Sequence, residues 1–242
     1  MRNQNLVYKK LFNTTFDETA SYEAASYSGI AKKTFLYLGM VVLGAFLVIA
    51  LGMVNASAYL GLIVTSSFLT FVFSIVAMTS PRLSKVFGIL YCLFEGVSVG
   101  FVSMVYSAVA GGAVLVALLS TLSVFAIVTT LFVTNIVKVN SKFIRFLVTF
   151  SISFIVSMAI FMLIMAVSGQ KYSISLCLGI SAITVFLASL YLLMDLDNIR
   201  VVVEGGYPKE MEWYAAFGLA FTLVWLYIEI LRIVAVIFAD RN

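Results

Sequence analysis

An all-α integral membrane protein with seven transmembrane helices is the fold class that this sequence predicts. Of its 242 residues, 63% are hydrophobic and only 11% are charged, whereas a soluble domain is about half apolar and about a quarter charged. Seven apolar stretches are each long enough to cross the hydrocarbon core of a bilayer. These stretches are continuous rather than alternating, so they predict helices and not barrel strands. We therefore expect one domain that consists almost wholly of spanning segments.

Short polar or turn segments separate the predicted spans. In chain order the spans are Thr34–Met53, Tyr59–Met78, Val86–Val109, Ala113–Thr134, Ile144–Val167, Ile174–Met194 and Tyr214–Phe238. Residues 1–33 are polar and contain no apolar signal-peptide region. The predicted organisation is therefore a polar cytoplasmic segment 1–33, a seven-helix membrane domain 34–238 and a short outer tail 239–242.

The basic residues predict the orientation, because cytoplasmic loops of membrane proteins are enriched in Lys and Arg. With a cytoplasmic N-terminus, the inside segments contain most of the 15 basic residues: Arg2, Lys9, Lys10, Lys32, Lys33, Arg82, Lys85, Lys138, Lys142, Arg145, Arg200 and Lys209. Only Lys171 and Arg241 then lie outside. We expect a multi-pass protein of the cell membrane, surrounded by lipid, with its C-terminus outside. The basic residues form no single cluster, so nucleic acid is not an expected partner.

The residues that many catalytic sites need are missing or lack the required spacing. The chain has no histidine, which excludes a Ser–His dyad, an HExxH zinc site and a His-ligated haem. Cys92 and Cys177 lie inside apolar spans and lack the spacing of a metal site or disulfide framework. We therefore predict no enzymatic activity and no cofactor, with Ca²⁺ kept as a candidate transported or bound ion. An ion conduit, a coupled transporter and a protein-binding regulator remain as function classes.

Charged residues within spans are candidate functional groups, because burial of charge in a bilayer is costly. Glu95 lies near the midplane of the third span and has no basic residue within one helical turn. Glu229 and Arg232 share a face of the seventh span, since residues three apart are neighbours on a helix. They form either an internal ion pair or part of a gate. Glu95 is either a pathway residue or a hydrogen-bonded, protonated carboxyl group.

The stretch YLLMDLDNIR places Asp195 and Asp197 at the predicted end of the sixth span. A helix C-terminus disfavours acids because the helix dipole is negative there. Asp197 has Arg200 at i+3, which predicts a solvated salt bridge. Asp195 is rotated from Asp197 by about 200° around the helix and has no such neighbour. We therefore expect Asp195 to face inward and to require a proton or a cation, which makes it the candidate pH sensor.

Several motifs resemble the Bax inhibitor-1 family, also called transmembrane Bax inhibitor motif proteins, and in particular its bacterial branch. They are MDLDNI at the end of the sixth span, EGVSVG in the third, and PKEMEWYAAFGL leading into WYAAFGLAFTLVWLYIEILRI in the seventh. The resemblance covers roughly Thr34 to Phe238. It implies six helices around a central seventh and a pH-sensitive Ca²⁺ leak linked to stress or cell-death regulation. For some bacterial members it also implies modulation of a membrane protease.

The family resemblance further implies a gate in which two aspartates, one on each of the last two helices, share a proton. Asp195 matches the first aspartate, because Asp195 to Ile199 fits the Asp-x-x-x-Ile pattern of the family. The position of the second aspartate is occupied by Thr222 in this chain. The basic residue that the family carries in its second helix is also missing. Asp197, Glu95 and Glu229 remain as candidate substitutes for the second acid.

The leading functional prediction is a pH-sensitive cation leak, with Ca²⁺ as the expected ion and Asp195 as a candidate Ca²⁺ ligand. Acids on the third, sixth and seventh helices would line or gate it. A second prediction is a non-conducting regulator that binds a membrane protein such as a protease. A third is a proton-coupled transporter, which saturable uptake under a pH gradient would reveal. The sequence leaves the oligomeric state open.

Overall fold

The structure of the chain is a computed structural model that describes residues 23–51, 56–168 and 173–239. Within these residues it contains seven helices: α1 (Tyr27–Leu51), α2 (Ala56–Thr79), α3 (Ser84–Val109), α4 (Ala113–Val133), α5 (Ser141–Ser168), α6 (Ile174–Glu204) and α7 (Met211–Ala239). The predictions for Arg2, Lys9, Lys10, Lys171 and Arg241 lie outside the described residues. So do nearly all of the polar segment before residue 23 and of the tail after residue 239.

The helices correspond one to one with the predicted spans. Six of them, all except α2, have the length and apolar composition needed to cross a bilayer. In α2 the apolar stretch that can be assessed is shorter and runs from Val64 to Thr79. The all-helical membrane fold is thus confirmed. A helix suits an apolar segment of this length because it satisfies the backbone hydrogen bonds within the segment, where lipid offers none.

Two helices begin or end well beyond the predicted limits. Helix α1 starts at Tyr27 rather than Thr34, so that Lys32 and Lys33 lie within it. Helix α6 continues past Met194 to Glu204 and ends at Gly205. Asp195 and Asp197 therefore lie inside a helix and not at its C-terminus. The helix-dipole argument for these two acids was wrong, because the helix continues for about two more turns through Ile199, Val201, Val202 and Val203.

Helix α7 packs against α1, α2, α3, α4 and α6. Near the α6–α7 connection, the ring of Phe217 on α7 lies 5.9 Å from the ring of Tyr37 on α1 and 5.2 Å from that of Tyr91 on α3. At the other end of α7, Leu226 and Leu231 are fully buried, in a cluster with small residues of α4 and α6. The last helix therefore carries much of the interior of the bundle.

Helices α1 and α3 are in backbone contact. A side chain at Gly96 of α3 would collide with the backbone of Val41, and one at Gly44 of α1 would collide with the carbonyl oxygen of Leu93. Gly100, which completes a small-xxx-small spacing with Gly96, meets α1 in the same way. Small residues at this spacing let membrane helices approach closely.

Helix α5 is packed in the opposite manner. Only Leu147 and Ser151 are buried on it, and many of its large apolar side chains are exposed. Its recorded neighbour is α6. Because α5 covers the same side of α6 and α7 that carries Asp195, its loose packing leaves a cleft there.

Candidate functional site

Asp195 on α6 faces α7. Its side chain is buried, and its Oδ2 atom accepts a hydrogen bond of 2.6 Å from the Thr222 hydroxyl group. This is the residue pair that the family resemblance places opposite each other. The expectation that Asp195 faces inward agrees with the structure, and the position of the second acid is indeed filled by a hydroxyl group.

The second carboxylate oxygen of Asp195 points toward α7 at a glycine. A Cβ atom at Gly218 would lie 3.2 Å from Asp195 Oδ1, so the absence of a side chain leaves room beside this oxygen. Within the described part of the chain, no hydrogen-bond donor reaches Oδ1. Asp195 thus has one oxygen that is hydrogen-bonded and one that is open.

A cleft of about 520 Å³ surrounds this open oxygen. It lies between α5, α6 and α7, and Met78 from the end of α2 completes its wall. Its polar lining consists of Ser151, Tyr191, Asp195, Asn198, Tyr214 and Thr222. The remaining lining is apolar, and no lysine or arginine lines it. The carboxyl group of Asp195 is therefore without a counter-charge in the described structure.

Asp197 has a different environment, although it lies only two residues away. Arg200 donates a hydrogen bond to Asp197 Oδ1 and forms an ion pair with it. The guanidinium group also lies 4.7 Å from the ring centre of Phe132. The Asp197–Arg200 pair was predicted correctly, but its solvated character was wrong, because Asp197 is only 3% exposed. Packing of α6 against its neighbours, which the sequence does not display, buries Asp197 and leaves Arg200 partly exposed.

Glu229 and Arg232 form the internal ion pair that their spacing predicts. Arg232 Nη1 lies 3.1 Å from Glu229 Oε2, with Glu229 buried and Arg232 partly exposed. Neither residue lines the cleft. The structure therefore places this pair apart from Asp195, farther along α7.

Glu95 is half-buried on α3. No residue of α3 lines the cleft, so Glu95 and Asp195 do not share it. Among the described residues, Glu95 forms no ion pair. Its predicted role as a pathway residue remains a prediction.

The donor set around Asp195 is unlike a resident calcium cage. Ca²⁺ takes roughly six to eight oxygen ligands, several of them carboxylates. Among the described residues, no group of three or more His, Cys, Asp or Glu side chains is arranged to hold a metal ion. Cys92 and Cys177 are free thiols. The described residues around Asp195 therefore do not form a chelating Ca²⁺ site.

A fourth buried carboxylate, besides Asp195, Asp197 and Glu229, was not predicted from the sequence. Glu212, at the start of α7, is 1% exposed and forms an ion pair with Lys33 of α1. Its Oε1 atom also accepts hydrogen bonds from the backbone N–H of Ser26 at 2.8 Å and from the Ser26 hydroxyl group at 3.1 Å. Lys33 Nζ lies 5.0 Å from the ring centre of Trp213 as well. The sequence offered only two separate signals: Lys33 stands directly before the first apolar run, and Glu212 lies in the PKEMEW motif.

The residues before α1 extend this contact. The backbone N–H of Ala25 donates to the Tyr207 carbonyl oxygen at 2.8 Å, and that of Lys209 donates to the Glu23 carbonyl oxygen at 2.9 Å. The exposed ammonium group of Lys209 donates a hydrogen bond to the Glu23 carboxylate, and this bond raises the pKa of Lys209 above its usual value. We name this region, residues 23–33 with residues 205–212, the N-terminal clamp. It joins the start of α1 to the α6–α7 connection.

These features define a class of protein: a multi-spanning helical membrane protein with a buried, uncompensated carboxyl group between its last two helices. A family model described as Bax inhibitor 1 like matches residues 5–239. The chain therefore belongs to the Bax inhibitor 1-like family, as its motifs indicated. This family is generally one of membrane proteins without enzymatic activity. None of the curated proteins compared with the chain matches it.

Proposed function

We propose that this protein conducts cations across the cell membrane, with Ca²⁺ as the permeating ion, and that protonation of Asp195 controls conduction. The observation that carries the proposal is the setting of Asp195. It is a buried carboxyl group bonded only to a hydroxyl group, in a cleft lined by no basic residue. A buried acid without a counter-charge needs a proton or a cation, and exchange between the two couples pH to ion occupancy.

The pairing of Asp195 with Thr222 supports a gate that needs one acid rather than two. A hydroxyl group can donate to a carboxylate and can accept from a carboxylic acid. The hydrogen bond between α6 and α7 can therefore persist in both protonation states, with its direction reversed. What changes is the charge of the cleft, which is negative only when Asp195 is ionised.

The proposed topology places the N-terminus in the cytoplasm, the C-terminus outside and α7 at the centre of the bundle. The distribution of basic residues supports the orientation. The contacts of α7 with five other helices support its central position. On α7, Glu229 lies about 10 Å farther along the axis than Thr222, at 1.5 Å per residue. We propose that the Glu229–Arg232 pair lines the conduction pathway at this point of α7, beyond the cleft.

Ca²⁺ flux into proteoliposomes, measured across mildly acidic to mildly alkaline pH, tests the proposal. We expect the wild-type flux to depend on pH and the flux of Asp195→Asn to be independent of pH, because the amide cannot ionise. Thr222→Asp restores the acid pair implied by the family and should produce a second titration step. Glu210→Gln, which removes an exposed acid outside the cleft, serves as the control. An unchanged pH response in Asp195→Asn would refute the role of Asp195.

A second candidate function is that of a non-conducting regulator that binds another membrane protein such as a protease. The outer face of α5 favours it, since this helix offers a long row of exposed apolar side chains. Purified protein that passes no ion but is isolated together with a membrane protease would support this function over the first.

A further inference from the structure

The cleft beside Asp195 is larger and more apolar than ion passage requires. Its volume of about 520 Å³ falls in the range of roughly 300 to 1,000 Å³ that is typical of small-molecule sites. Aromatic side chains form much of the lining, including Phe154, Phe217, Phe221 and Trp225. Sites of this type bind an organic molecule through the apolar wall and orient it through a few polar groups.

The charge of the cleft selects the sign of such a molecule. Among the described residues, Asp195 is the only acid in the lining, and no basic residue there balances it. The other titratable groups that face the cleft are Tyr191 of α6, whose hydroxyl group donates to Ser151 at 3.0 Å, and Tyr214 of α7. The open Oδ1 atom of Asp195 beside Gly218 can accept a hydrogen bond from a cation. An anionic ligand would meet an acid with no compensating positive charge.

The aromatic walls favour an organic cation over a metal ion. Cations are attracted to the faces of Trp, Tyr and Phe rings within about 6 Å. The rings of Tyr191 on α6 and Trp225 on α7 pack against each other, with their centres 6.0 Å apart, and form one aromatic wall of the cleft. Hard metal ions require many oxygen ligands, whereas an ammonium group needs one strong acceptor and a wall that accepts its apolar body.

The entrance of the cleft indicates the route. Ile155 of α5 is 64% exposed and Met78 of α2 is 41% exposed, and both line the cleft. Lipid would surround apolar side chains that are exposed on a helix of a membrane domain. The opening between α2 and α5 is therefore the side from which a lipid-soluble ligand would enter.

We propose that the cleft is a binding site for hydrophobic organic monocations, specifically aryl- or alkylammonium compounds that enter from the lipid. The ammonium group would donate to Asp195 Oδ1, and the apolar body would lie against Phe154, Phe221 and Trp225. This site does not depend on ion conduction. A failure of the binding experiment and a failure of the flux experiment are therefore distinguishable.

The test is equilibrium binding of radiolabelled 1-naphthylmethylammonium to the full-length protein in nanodiscs, with empty nanodiscs subtracted. The neutral control ligand is 1-naphthylmethanol, which has nearly the same shape and no charge. We expect saturable binding of the ammonium compound that is tighter than that of the alcohol by about tenfold, the contribution of one charge-assisted hydrogen bond. Equal affinity for the two compounds would overturn the proposal.

Two variants separate the charge from the cavity. Asp195→Asn should weaken ammonium binding by about tenfold and leave alcohol binding unchanged, and the retained alcohol binding shows that the variant is folded. Ile155→Trp should block the entrance and weaken both ligands. Ile160→Trp, at an equally apolar and exposed position of α5 that does not line the cleft, is the matched control. Wild-type ammonium affinity in Asp195→Asn would refute the assignment.

Discussion

Glu212 and Asp195 are both carboxylates buried on the last two helices, yet their surroundings are opposite. Glu212 is 1% exposed and is bound by Lys33 and by the backbone and hydroxyl groups of Ser26. Asp195 is 8% exposed and has Thr222 as its one recorded hydrogen-bond partner. The first acid is neutralised by a cation within the protein, and the second is not. Burial alone therefore does not decide whether an acid is compensated within the protein.

This contrast separates two tasks along the same pair of helices. The N-terminal clamp holds α1, the α6–α7 connection and the start of α7 in one arrangement. The cleft, farther along α7, contains the carboxyl group of Asp195, which no cation of the described protein neutralises.

Lys33→Met should cause the largest loss of stability. It leaves the Glu212 carboxylate buried without a cation, and removal of one partner of a buried ion pair costs about 3 kcal/mol or more. Thermal unfolding of the detergent-solubilised protein measures the effect. Lys32→Met is the matched control, because Lys32 is the adjacent residue on the same helix and is exposed. Equal unfolding temperatures for the two variants would show that Glu212 is not held as described.

Arg200→Met should have a smaller but clear effect of about 2 kcal/mol, since it leaves Asp197 without its cation. The cost is lower than for Lys33 because Arg200 is partly exposed, so that water can reach the site. Denaturant-induced unfolding followed by circular dichroism measures it. Arg200→Lys keeps the charge but loses the planar contact with Phe132, and it should recover part of the loss. A Met variant as stable as the Lys variant would contradict this.

Thr222→Val should destabilise the fold by only about 1 kcal/mol, the usual contribution of one hydrogen bond. Its larger effect should be functional, because Asp195 loses its single partner while the side-chain shape is retained. The pH midpoint of Ca²⁺ flux is expected to move relative to the wild type, and flux assays across pH measure this. Thr222→Ser retains the hydroxyl group and should keep the wild-type midpoint. If the pH midpoint of Ca²⁺ flux in Thr222→Val equals that of the wild type, Thr222 has no role in the proposed gate.

Lys209→Gln should leave the unfolding temperature unchanged at neutral pH, because exposed ion pairs contribute little. The raised pKa of Lys209 means that any contribution of the Glu23–Lys209 pair is present below the unfolded-state pKa. It is lost only as the pH rises through the higher folded-state pKa. A wild-type protein that loses stability between neutral and mildly alkaline pH, with Lys209→Gln insensitive, would contradict this.

The helices could be predicted because lipid imposes a length and an apolar composition on every span. Their ends could not. Asp195 and Asp197 looked like the end of α6, but the helix continues to Glu204, and it accommodates Asp195 through Thr222 of α7 and Asp197 through Arg200 of its own next turn. A sequence displays the Arg200 partner at i+3, since that contact is local. It does not display how deeply neighbouring helices bury the pair.

The two carboxylate sites differ in the same way. The Asp195–Thr222 contact could be anticipated from family motifs that fix the register of α6 and α7. The Glu212 site joins Ser26 and Lys33 to a residue far along the chain, and no local pattern connects them. Its glycine requirement is equally hidden, because a side chain at Gly29 would overlap the Glu212 carboxylate. Such contacts become visible only once the helices are placed together.

The glycine contacts between α1 and α3 have a mechanical consequence. Where Gly44 and Gly96 bring the two backbones together, no side chains lie between them that could rotate to let one helix slide along the other. We therefore expect α1 and α3 to move as one rigid unit, which contacts α7 through the rings of Tyr37, Tyr91 and Phe217. Helix α5, which buries only Leu147 and Ser151, is the wall of the cleft that packing constrains least. We therefore expect any widening of the cleft to come from displacement of α5 and not of α1 and α3.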